Sequence, residues 1–279
     1  MTKALAHRTY QAARIALGRA RSARQPWKGV RILGYHRVAE FEHALAVRPA
    51  EFRWQMEQVA AGNAQVIRLD EAVRMLEQPV DGRYVAVTFD DGYRDFLDHA
   101  LPVLRELGIP ATMFVPTAII DGEASYYWFA EPPPALTWDE IASLVDEGVD
   151  VQPHTRTHPW LPRVDEARAR DEIAGSKQAL ESHVPYEATT FCYPAGLYGE
   201  RELRLVREAG YRAALTTDPG ANPGGRPLDR LRRTLVFWGD SRPAFEAKLA
   251  GHLDRPSLPW LLVQKRRARG GLRRTEADS

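Results

Sequence analysis

The sequence predicts an α/β fold whose parallel strands form a closed or nearly closed barrel, for two reasons. From residue 30 onward, short apolar or β-branched runs alternate with amphipathic segments. This repeated alternation of strand and helix is typical of parallel strands joined by crossover helices. No glycine-rich phosphate-binding fingerprint follows the early strands, which favours a barrel over an open dinucleotide-binding sheet.

Individual strands and helices are predicted from hydrophobic periodicity and from helix-capping and helix-ending residues. Strands are expected at residues 30–36, 84–90, 111–117, 149–154, 189–194, 213–217 and 232–237. Helices are expected at residues 49–61, 93–107, 137–147, 165–183, 201–209 and 243–252. Thr137 and Glu140 have the spacing of a capping box, and Gly108 and Gly210 each follow a predicted helix.

Composition places the chain among ordinary globular proteins. Of its 279 residues, 44% are apolar and 27% are charged, and no run of eighteen apolar residues predicts a membrane-spanning helix. Cys192 is the only cysteine, which excludes an intrachain disulfide and a cysteine-rich zinc module. The basic N-terminus lacks the continuous apolar segment of a secretory signal peptide. These features together predict a cytoplasmic protein.

Charge is unevenly distributed along the chain. Residues 1–31 hold eight Lys or Arg and no acidic residue, whereas residues 265–279 hold six Lys or Arg and two acidic residues. We therefore expect a basic N-terminal segment at 1–29, one domain at 30–255 and a basic tail at 256–279.

The basic ends have two interpretations. They are either solvated segments or a weak attachment to an anionic membrane at its inner face, since the apolar run 258–263 precedes basic residues. Nucleic-acid binding is not expected, because the basic segments show no aromatic interleaving and no recognition motif.

Polar side chains stand at the carboxyl ends of several predicted strands. They are His36, Asp90, Asp91, His154, His158 and Tyr193. In a parallel barrel these strand ends share one face, where active residues lie. We therefore expect the polar residues to converge at a single site.

Two pairs among them have the character of a metal site. Asp90 and Asp91 end an apolar strand before Gly92, where a turn would bring both carboxylates toward one opening. Helix capping is the alternative, but one aspartate suffices for it. His154 and His158 are four residues apart, which on a helical turn places both imidazoles on one side. Two polar loop histidines are the alternative. Three ligands with an open position describe a catalytic metal site.

A divalent metal ion held in this way would lower the pKa of its bound water from about 15.7 toward about 7 and polarise a carbonyl group. A spare carboxylate beside it can act as general base, and a histidine can protonate a leaving amine. This is the minimum set of groups for amide hydrolysis.

With these motifs, the sequence resembles the polysaccharide deacetylases of carbohydrate esterase family four, the NodB-homology domain. The matching segments are residues 88–92 (Thr-Phe-Asp-Asp-Gly), 154–158 (His-Thr-Arg-Thr-His) and 193–196 (Tyr-Pro-Ala-Gly). The resemblance spans roughly residues 30–253. It implies a distorted (β/α) barrel of the NodB-homology type, with fewer strands than the regular eightfold form.

The resemblance also implies roles for single residues. Asp91, His154 and His158 would hold the metal ion, usually zinc. Asp90 would be the general base that takes a proton from the metal-bound water. The backbone N–H of Tyr193 would help to stabilise the tetrahedral oxyanion.

One departure from the family pattern concerns the general base. Many members carry an arginine that orders the base two residues before the proline of the third motif, where this chain has Cys192. The branch that resembles poly-N-acetylglucosamine deacetylases also lacks this arginine and has a Tyr-His-Arg sequence, as at residues 35–37 here. His36 is therefore expected to be the general acid, with His252 as its rival. Arg37 is expected to replace the missing charge or to bind substrate. Cys192 lies within a strand and is not expected to be a nucleophile.

The sequence offers further candidates around the site. Trp160 and Leu161 are expected to line a pocket for the acetyl methyl group, with core packing as the alternative for Leu161. Thr155 and Thr157 would support the histidine loop. Aromatic residues near a proline-rich loop would either stack on sugars or anchor the loop; they are Tyr126, Tyr127, Trp128, Phe129 and Trp138. Arg232 and Arg233 are expected to be solvated, with support of the site or binding of an acidic substrate as alternatives.

The sequence therefore predicts a metal-dependent N-deacetylase, with zinc as the expected ion, acting on an N-acetylhexosamine glycan or glycoconjugate. Two alternatives remain at this point. One is hydrolysis of another non-peptide C–N bond, in an amide or a cyclic imide, and the other is a catalytically silent glycan-binding domain.

Overall fold

The computed structural model describes residues 12–20 and 27–254. The strands are β1 (Gly29–Tyr35), β2 (Arg37–Val38), β3 (Ala46–Val47), β4 (Gln65–Val66), β5 (Arg83–Phe89), β6 (Ala111–Val115), β7 (Asp150–Pro153), β8 (Thr190–Cys192), β9 (Ala213–Leu215) and β10 (Thr234–Leu235). The helices are α1 (residues 12–20), α2 (Pro49–Ala61), α3 (Leu69–Met75), α4 (Leu101–Leu107), α5 (Thr117–Ile120), α6 (Trp138–Asp146), α7 (Glu166–Arg170), α8 (Ser176–Glu181), α9 (Glu200–Glu208) and α10 (Arg242–Leu249).

A parallel six-stranded sheet lies at the centre, in the order β10-β1-β5-β6-β7 with β4 also beside β5. A second parallel pair, β8–β9, lies next to it: β8 contacts β7, and Leu215 of β9 forms a parallel bridge with Leu231, just before β10. This pair therefore fills the gap between the two outer strands of the central sheet. The predicted α/β fold with a distorted barrel is confirmed.

The two middle strands owe their position to their apolar sequence. All seven residues of β1 are buried, as are the last five of β5, and apolar runs of this kind are typical of parallel strands covered on both faces. The strands pair along their whole length, from Gly29 opposite Arg83 to Tyr35 opposite Phe89. They consequently end side by side, and the residues that follow them emerge at the same place.

The predicted helix signals are borne out locally. Helix α2 begins at Pro49 and buries Phe52, Met56 and Val59, the face that its periodicity indicated. Helix α6 begins with the predicted capping box of Thr137. Helix α4 ends at Gly108, whose φ of 63° lies in the left-handed region that glycine adopts without strain.

Some boundaries differ from the expectation. The helix predicted at 93–107 begins only at a π-helical turn, Phe96–Ala100, and the one predicted at 165–183 is divided by a second, Asp171–Gly175. The short elements β2, β3, β4, α3 and α5 had no predicted counterpart. Strands of two residues and helices of four to seven are too short for a periodic pattern to show.

Within the two described ranges, no helix is both long and apolar enough to cross a membrane. The predicted tail at 256–279 and its apolar run at 258–263 lie outside the described residues, as does most of the predicted N-terminal segment. The division of the chain into three parts therefore stays a prediction.

Candidate metal and catalytic site

The polar residues at the strand ends do come together. His36 follows β1, Asp90 and Asp91 follow β5, and His154 follows β7. The Nε2 atom of His154 lies 3.6 Å from Asp91 Oδ1, and the Nε2 atom of His158 lies 3.4 Å from the same oxygen. The Nε2 atom of His36 lies 3.9 Å from Asp90 Oδ2. The predicted convergence is confirmed for these five residues.

A local change of backbone direction brings both aspartates into one site. Asp91 has a φ of 72° and Gly92 a φ of 66°, so two consecutive residues are left-handed immediately after β5. A side chain at Gly92 would also be crowded, because an added Cβ would lie 3.0 Å from Val115 Cγ1. This turn explains why adjacent carboxylates, which point to opposite faces within a strand, both reach His154 here.

The histidines lie on a strained loop and not on the helical turn that their spacing suggested. Thr155 and His158 have φ values of 68° and 59°. The Thr155 hydroxyl accepts a hydrogen bond from the backbone N–H of His158 at 3.0 Å and donates to the carbonyl of His154. The buried carboxylate of Glu172 accepts from the backbone N–H of Thr157 at 2.8 Å and from its hydroxyl at 2.5 Å. The support predicted for the two threonines is confirmed, whereas Glu172 was not foreseen.

Three ligand atoms face one another at the centre of the cluster. The Nδ1 atom of His154 lies 2.7 Å from the Cys192 carbonyl. A carbonyl only accepts hydrogen bonds, so Nδ1 carries the proton and the lone pair of Nε2 faces Asp91. Asp91 Oδ1 is buried and has no hydrogen-bond partner among the described residues. The ligand atoms of Asp91, His154 and His158 lie within 4.8 Å of one another.

These residues fit a metal ion. A buried oxygen without a donor is costly unless a cation satisfies it, and one carboxylate with two imidazoles is a usual ligand set for catalytic zinc. Asp90, His154 and Cys192 form a second cluster of the same size, but both oxygens of Asp90 already bind a cationic side chain, described below.

The two aspartates differ in charge state. Burial, and secondly the neighbouring Asp90 charge, raises the pKa of Asp91 to about 8. Burial also opposes the ionisation of Asp90, but the Arg233 guanidinium and His154 outweigh it and hold the pKa of that carboxyl well below its usual range. Burial lowers the pKa of both His154 and His158, so their rings are neutral and able to act as ligands.

The structure corrects the expectation for the missing charge beside the base. Arg233, immediately before β10, binds Asp90 through two hydrogen bonds of 2.6 and 2.7 Å, and its Nη2 atom lies 3.0 Å from Cys192 Sγ. Arg37 instead binds Asp95 through its Nε atom at 2.6 Å. Arg233 therefore stands where Arg37 was expected, and its default interpretation as a solvated charge is wrong.

Burial raises the pKa of the Cys192 thiol well above its ordinary value. The side chain is therefore a thiol and not a thiolate, which agrees with the expectation that it is not a nucleophile.

The two candidate acids lie in different places. His36 lies beside Asp90, and burial lowers its pKa to about 4, against the opposing effect of Asp90. His252 follows α10, and the charges that act on it are those of Arg19, Asp254 and Arg31. Only His36 belongs to the cluster.

The backbone N–H of Tyr193, the expected oxyanion donor, already has an acceptor within the protein. It donates to the Leu215 carbonyl at 3.1 Å and so continues the pairing of β8 with β9. An oxyanion would have to compete with this bond. The Tyr193 hydroxyl donates to the Asp229 carbonyl, which ties the residue to the fold.

The residues predicted to contact the substrate differ in how deeply they are buried. Leu161 is fully buried in the main apolar core. Trp160 is half-buried, and the Arg163 guanidinium lies 4.1 Å from its ring centroid. Arg37 is 9% exposed and lies beneath aromatic rings. Their contact with a substrate stays a prediction.

Comparisons with known proteins agree with this geometry. The sequence profile of the polysaccharide deacetylase family matches residues 77–214, which include the two aspartates and both loop histidines. YxkH of Bacillus subtilis (strain 168), a protein named as a polysaccharide deacetylase, is 30% identical over 218 residues, or 77% of this chain and 74% of that protein. The poly-β-1,6-N-acetyl-D-glucosamine N-deacetylase of Staphylococcus epidermidis is 25% identical over 211 residues, 72% of this chain and 70% of that protein.

A solved structure supports the same assignment. That of IcaB from Ammonifex degensii superposes with a TM-score of 0.71 at 25% identity, over 81% of this chain and 98% of that one. The strand-end aspartates, the histidine loop and these similarities together show that the chain belongs to the polysaccharide deacetylase family of NodB-homology hydrolases, which act on non-peptide C–N bonds.

Proposed function

We propose that the protein removes N-acetyl groups from N-acetylhexosamine-containing glycans or glycoconjugates with the help of a divalent metal ion, zinc being the first candidate. The observation that carries the proposal is the orphaned Asp91 oxygen between two imidazoles, directly beside an ionised Asp90. The name of the staphylococcal relative, a poly-β-1,6-N-acetyl-D-glucosamine N-deacetylase, supports N-acetylglucosamine as the sugar.

The protein's own residues divide the work. Asp91, His154 and His158 would hold the ion, which when bound polarises the acetyl carbonyl and makes water more acidic. Arg233 keeps Asp90 ionised and fixes both of its oxygens, so Asp90 is ready to accept a proton from the attacking water.

His36 is the group placed to protonate the leaving nitrogen. It lies within 3.9 Å of Asp90, so the two groups border the same space. Burial disfavours the protonated form of His36, whereas the Asp90 charge favours it. Burial prevails, so His36 is neutral in the free site at neutral pH, and it must take up a proton before it can donate one to the leaving nitrogen.

The test combines metal content, measured by mass spectrometry, with acetate release from N-acetylglucosamine oligomers. We expect one divalent ion in both wild type and Asp90→Asn, and acetate release by wild type alone. Asp150→Asn is the matched control, because it neutralises a carboxylate at the opposite end of β7, bonded to Thr112 and Gln152. A bound ion without acetate from any oligomer would turn the search to other amides and cyclic imides. Absence of an ion under metal-replete conditions would overturn the mechanism.

The cytoplasmic location and the contact of the basic ends with an anionic membrane stay predictions. Fractionation of cells that express the native protein would check both. Recovery of the protein outside the cytoplasm would overturn the first.

A further inference from the structure

A cavity of about 340 Å³ lies beside the chain segment that leads into β10. Arg233 turns inward to Asp90 and is 1% exposed, whereas its neighbour Arg232 is exposed and lines the cavity. None of the metal-binding or catalytic residues described above belongs to the wall of this cavity. We call it the arginine pocket; the polar side chains in its wall are Tyr198, Asp218, Asn222, Arg226, Arg230 and Arg232.

The three arginines of the pocket keep donors that no carboxylate of the described residues occupies. Arg226 and Arg232 take part in no ion pair within residues 12–20 and 27–254. Arg230 binds Asp229 through its Nε atom at 3.0 Å, which leaves its Nη1 and Nη2 atoms for a ligand. The Asp229 carboxylate also lies 3.6 Å from the Nε atom of Arg207, so two arginines share its charge.

One carboxylate in the wall, that of Asp218, opposes these positive charges. The Tyr198 hydroxyl donates to its Oδ2 atom at 2.9 Å. Burial, and secondly the Asp218 charge, raises the pKa of Tyr198 to about 12, and the charges of Arg230 and Arg232 act against this rise. Both guanidinium groups therefore act on the same part of the wall. With three arginines and one aspartate, the pocket has two excess positive charges.

Arg232 is held in place without a ligand. The side chain of Asn222, which is 6% exposed, accepts from the backbone N–H of Arg232 at 2.9 Å and donates to its carbonyl at 3.0 Å. The backbone of Asn222 in turn forms a bridge with Val30 of β1. The Arg232 side chain passes over Gly220, where an added Cβ would lie 3.4 Å from its Nη1 atom. A binding residue fixed in this way loses less entropy when a ligand arrives.

We propose that the arginine pocket binds a phosphate group. Guanidinium groups match phosphate oxygens with forked hydrogen bonds, and several of them can surround one phosphate. A phosphate monoester carries about 1.5 to 2 negative charges at pH 7, which matches the excess charge of the pocket, whereas a carboxylate would neutralise half of it. Pockets for small molecules have volumes of about 300–1,000 Å³, so this one is large enough for phosphate or for a phosphorylated sugar. The inference does not depend on the proposed deacetylase activity.

The test is a calorimetric titration of the metal-loaded protein with inorganic phosphate. Arg226→Gln and Arg232→Gln should each weaken the binding about 10-fold, because each removes charge-assisted hydrogen bonds. Both side chains are exposed, so we expect both variants to fold. Arg83→Gln is the matched control; Arg83 is also exposed, but it lines a different cavity together with Glu246, and its replacement should leave the affinity unchanged.

A bound metal ion can also take phosphate, and Asp91→Ala separates the two sites. This variant should lose the metal ion and still bind phosphate in the arginine pocket. Loss of all binding in Asp91→Ala, or an unchanged affinity in both pocket variants, would place the phosphate elsewhere and overturn the proposal. Absence of binding to wild type at millimolar phosphate would overturn it as well.

A second ligand identifies the source of the phosphate. Glucose 6-phosphate should bind the wild type and should be weakened by the same two substitutions. An affinity higher than that of inorganic phosphate would assign the pocket to a phosphorylated sugar, and an equal or lower affinity would assign it to free phosphate. Glucose 6-phosphate binding that neither substitution weakens would contradict the pocket.

Discussion

Replacing Arg233 by Met should expose how strongly the general base depends on one arginine. The side chains of Arg233 and Asp90 are 1% and 3% exposed, and two hydrogen bonds of 2.6 and 2.7 Å join them. Met has a similar volume but no charge, so the variant leaves a buried carboxylate without a cation. Breaking a buried ion pair in this way costs about 3–5 kcal/mol, and we expect the free energy of unfolding to fall by this amount at neutral pH.

The loss should depend on pH in a defined direction. In the wild type, the pKa of Asp90 lies below its unfolded value, so the pair stabilises the fold above that value and less as the pH falls through the folded pKa. In Arg233→Met the main opposing charge is gone, and burial raises the pKa of Asp90 instead. As the pH is lowered, protonation of Asp90 then removes the unpaired buried charge from the folded variant. The difference between wild type and Arg233→Met should therefore shrink between about pH 7 and about pH 4.

Arg31→Met is the matched control. Arg31 is as buried as Arg233 and binds Asp254 with bonds of 2.7 and 2.9 Å, but Asp254 is 27% exposed and can be hydrated when its partner is lost. We expect a smaller loss of about 1–3 kcal/mol and no effect on acetate release. Asp90→Asn/Arg233→Met removes both charges and should cost less than the sum of its single variants.

The assay is urea unfolding in the presence of a chelator, at both pH values, together with acetate release for the metal-loaded enzymes. Arg233→Lys should retain part of the stability but lose activity, because a single ammonium cannot hold both carboxylate oxygens. The reasoning would be refuted by an Arg233→Met loss no larger than that of Arg31→Met, or by a loss that is equal at both pH values.

The remaining predictions concern the acid, the metal ligands and one glycine. His36→Ala should lower acetate release by about two to four orders of magnitude with metal content near that of wild type, whereas His252→Ala should leave both unchanged; the reverse result would move the acid to His252. A chelator should lower the thermal midpoint of wild type but not of Asp91→Ala, and an equal shift in both would contradict the ligand assignment. Gly196→Ala should lower the free energy of unfolding by about 1–3 kcal/mol in urea, since Gly196 has a φ of 65° and an added Cβ would lie 2.2 Å from Thr217 Oγ1; an unchanged value would contradict this.

The parts of the site that were predictable are those whose residues lie close together in sequence. Asp90 and Asp91 follow one buried strand and the two loop histidines follow another, so strand recognition alone placed them at a common edge. Arg233 is 143 residues away from Asp90 in sequence, and nothing in the pair Arg232-Arg233 shows which guanidinium turns inward. Only the pairing of β10 with β1 decides it, since that pairing carries Arg233 to the edge where Asp90 lies.

The oxyanion role of Tyr193 stays a prediction for a related reason. Whether the N–H of Tyr193 is free depends on how far β8 pairs with β9. The pairing continues by one hydrogen bond past the end of β8, from Tyr193 to Leu215, the last residue of β9. Strand boundaries are the least certain feature of a sequence-based prediction. A role that depends on one backbone bond at such a boundary therefore needs the structure.

The backbone conformations of the metal-binding residues show that tertiary contacts override local conformational preference at this site. Asp91 and His158 both adopt left-handed conformations, which cost non-glycine residues about 1–3 kcal/mol each and persist only where the surroundings hold them. Here the Tyr126 hydroxyl holds the Asp91 carbonyl, and the Thr155 hydroxyl holds the N–H of His158. The result is three lone-pair donors aimed at one another, an arrangement in which burial and Asp90 oppose the ionisation of Asp91. Such a cluster lowers the stability of the fold unless a cation binds there. Metal content is therefore the measurement on which the mechanism depends most.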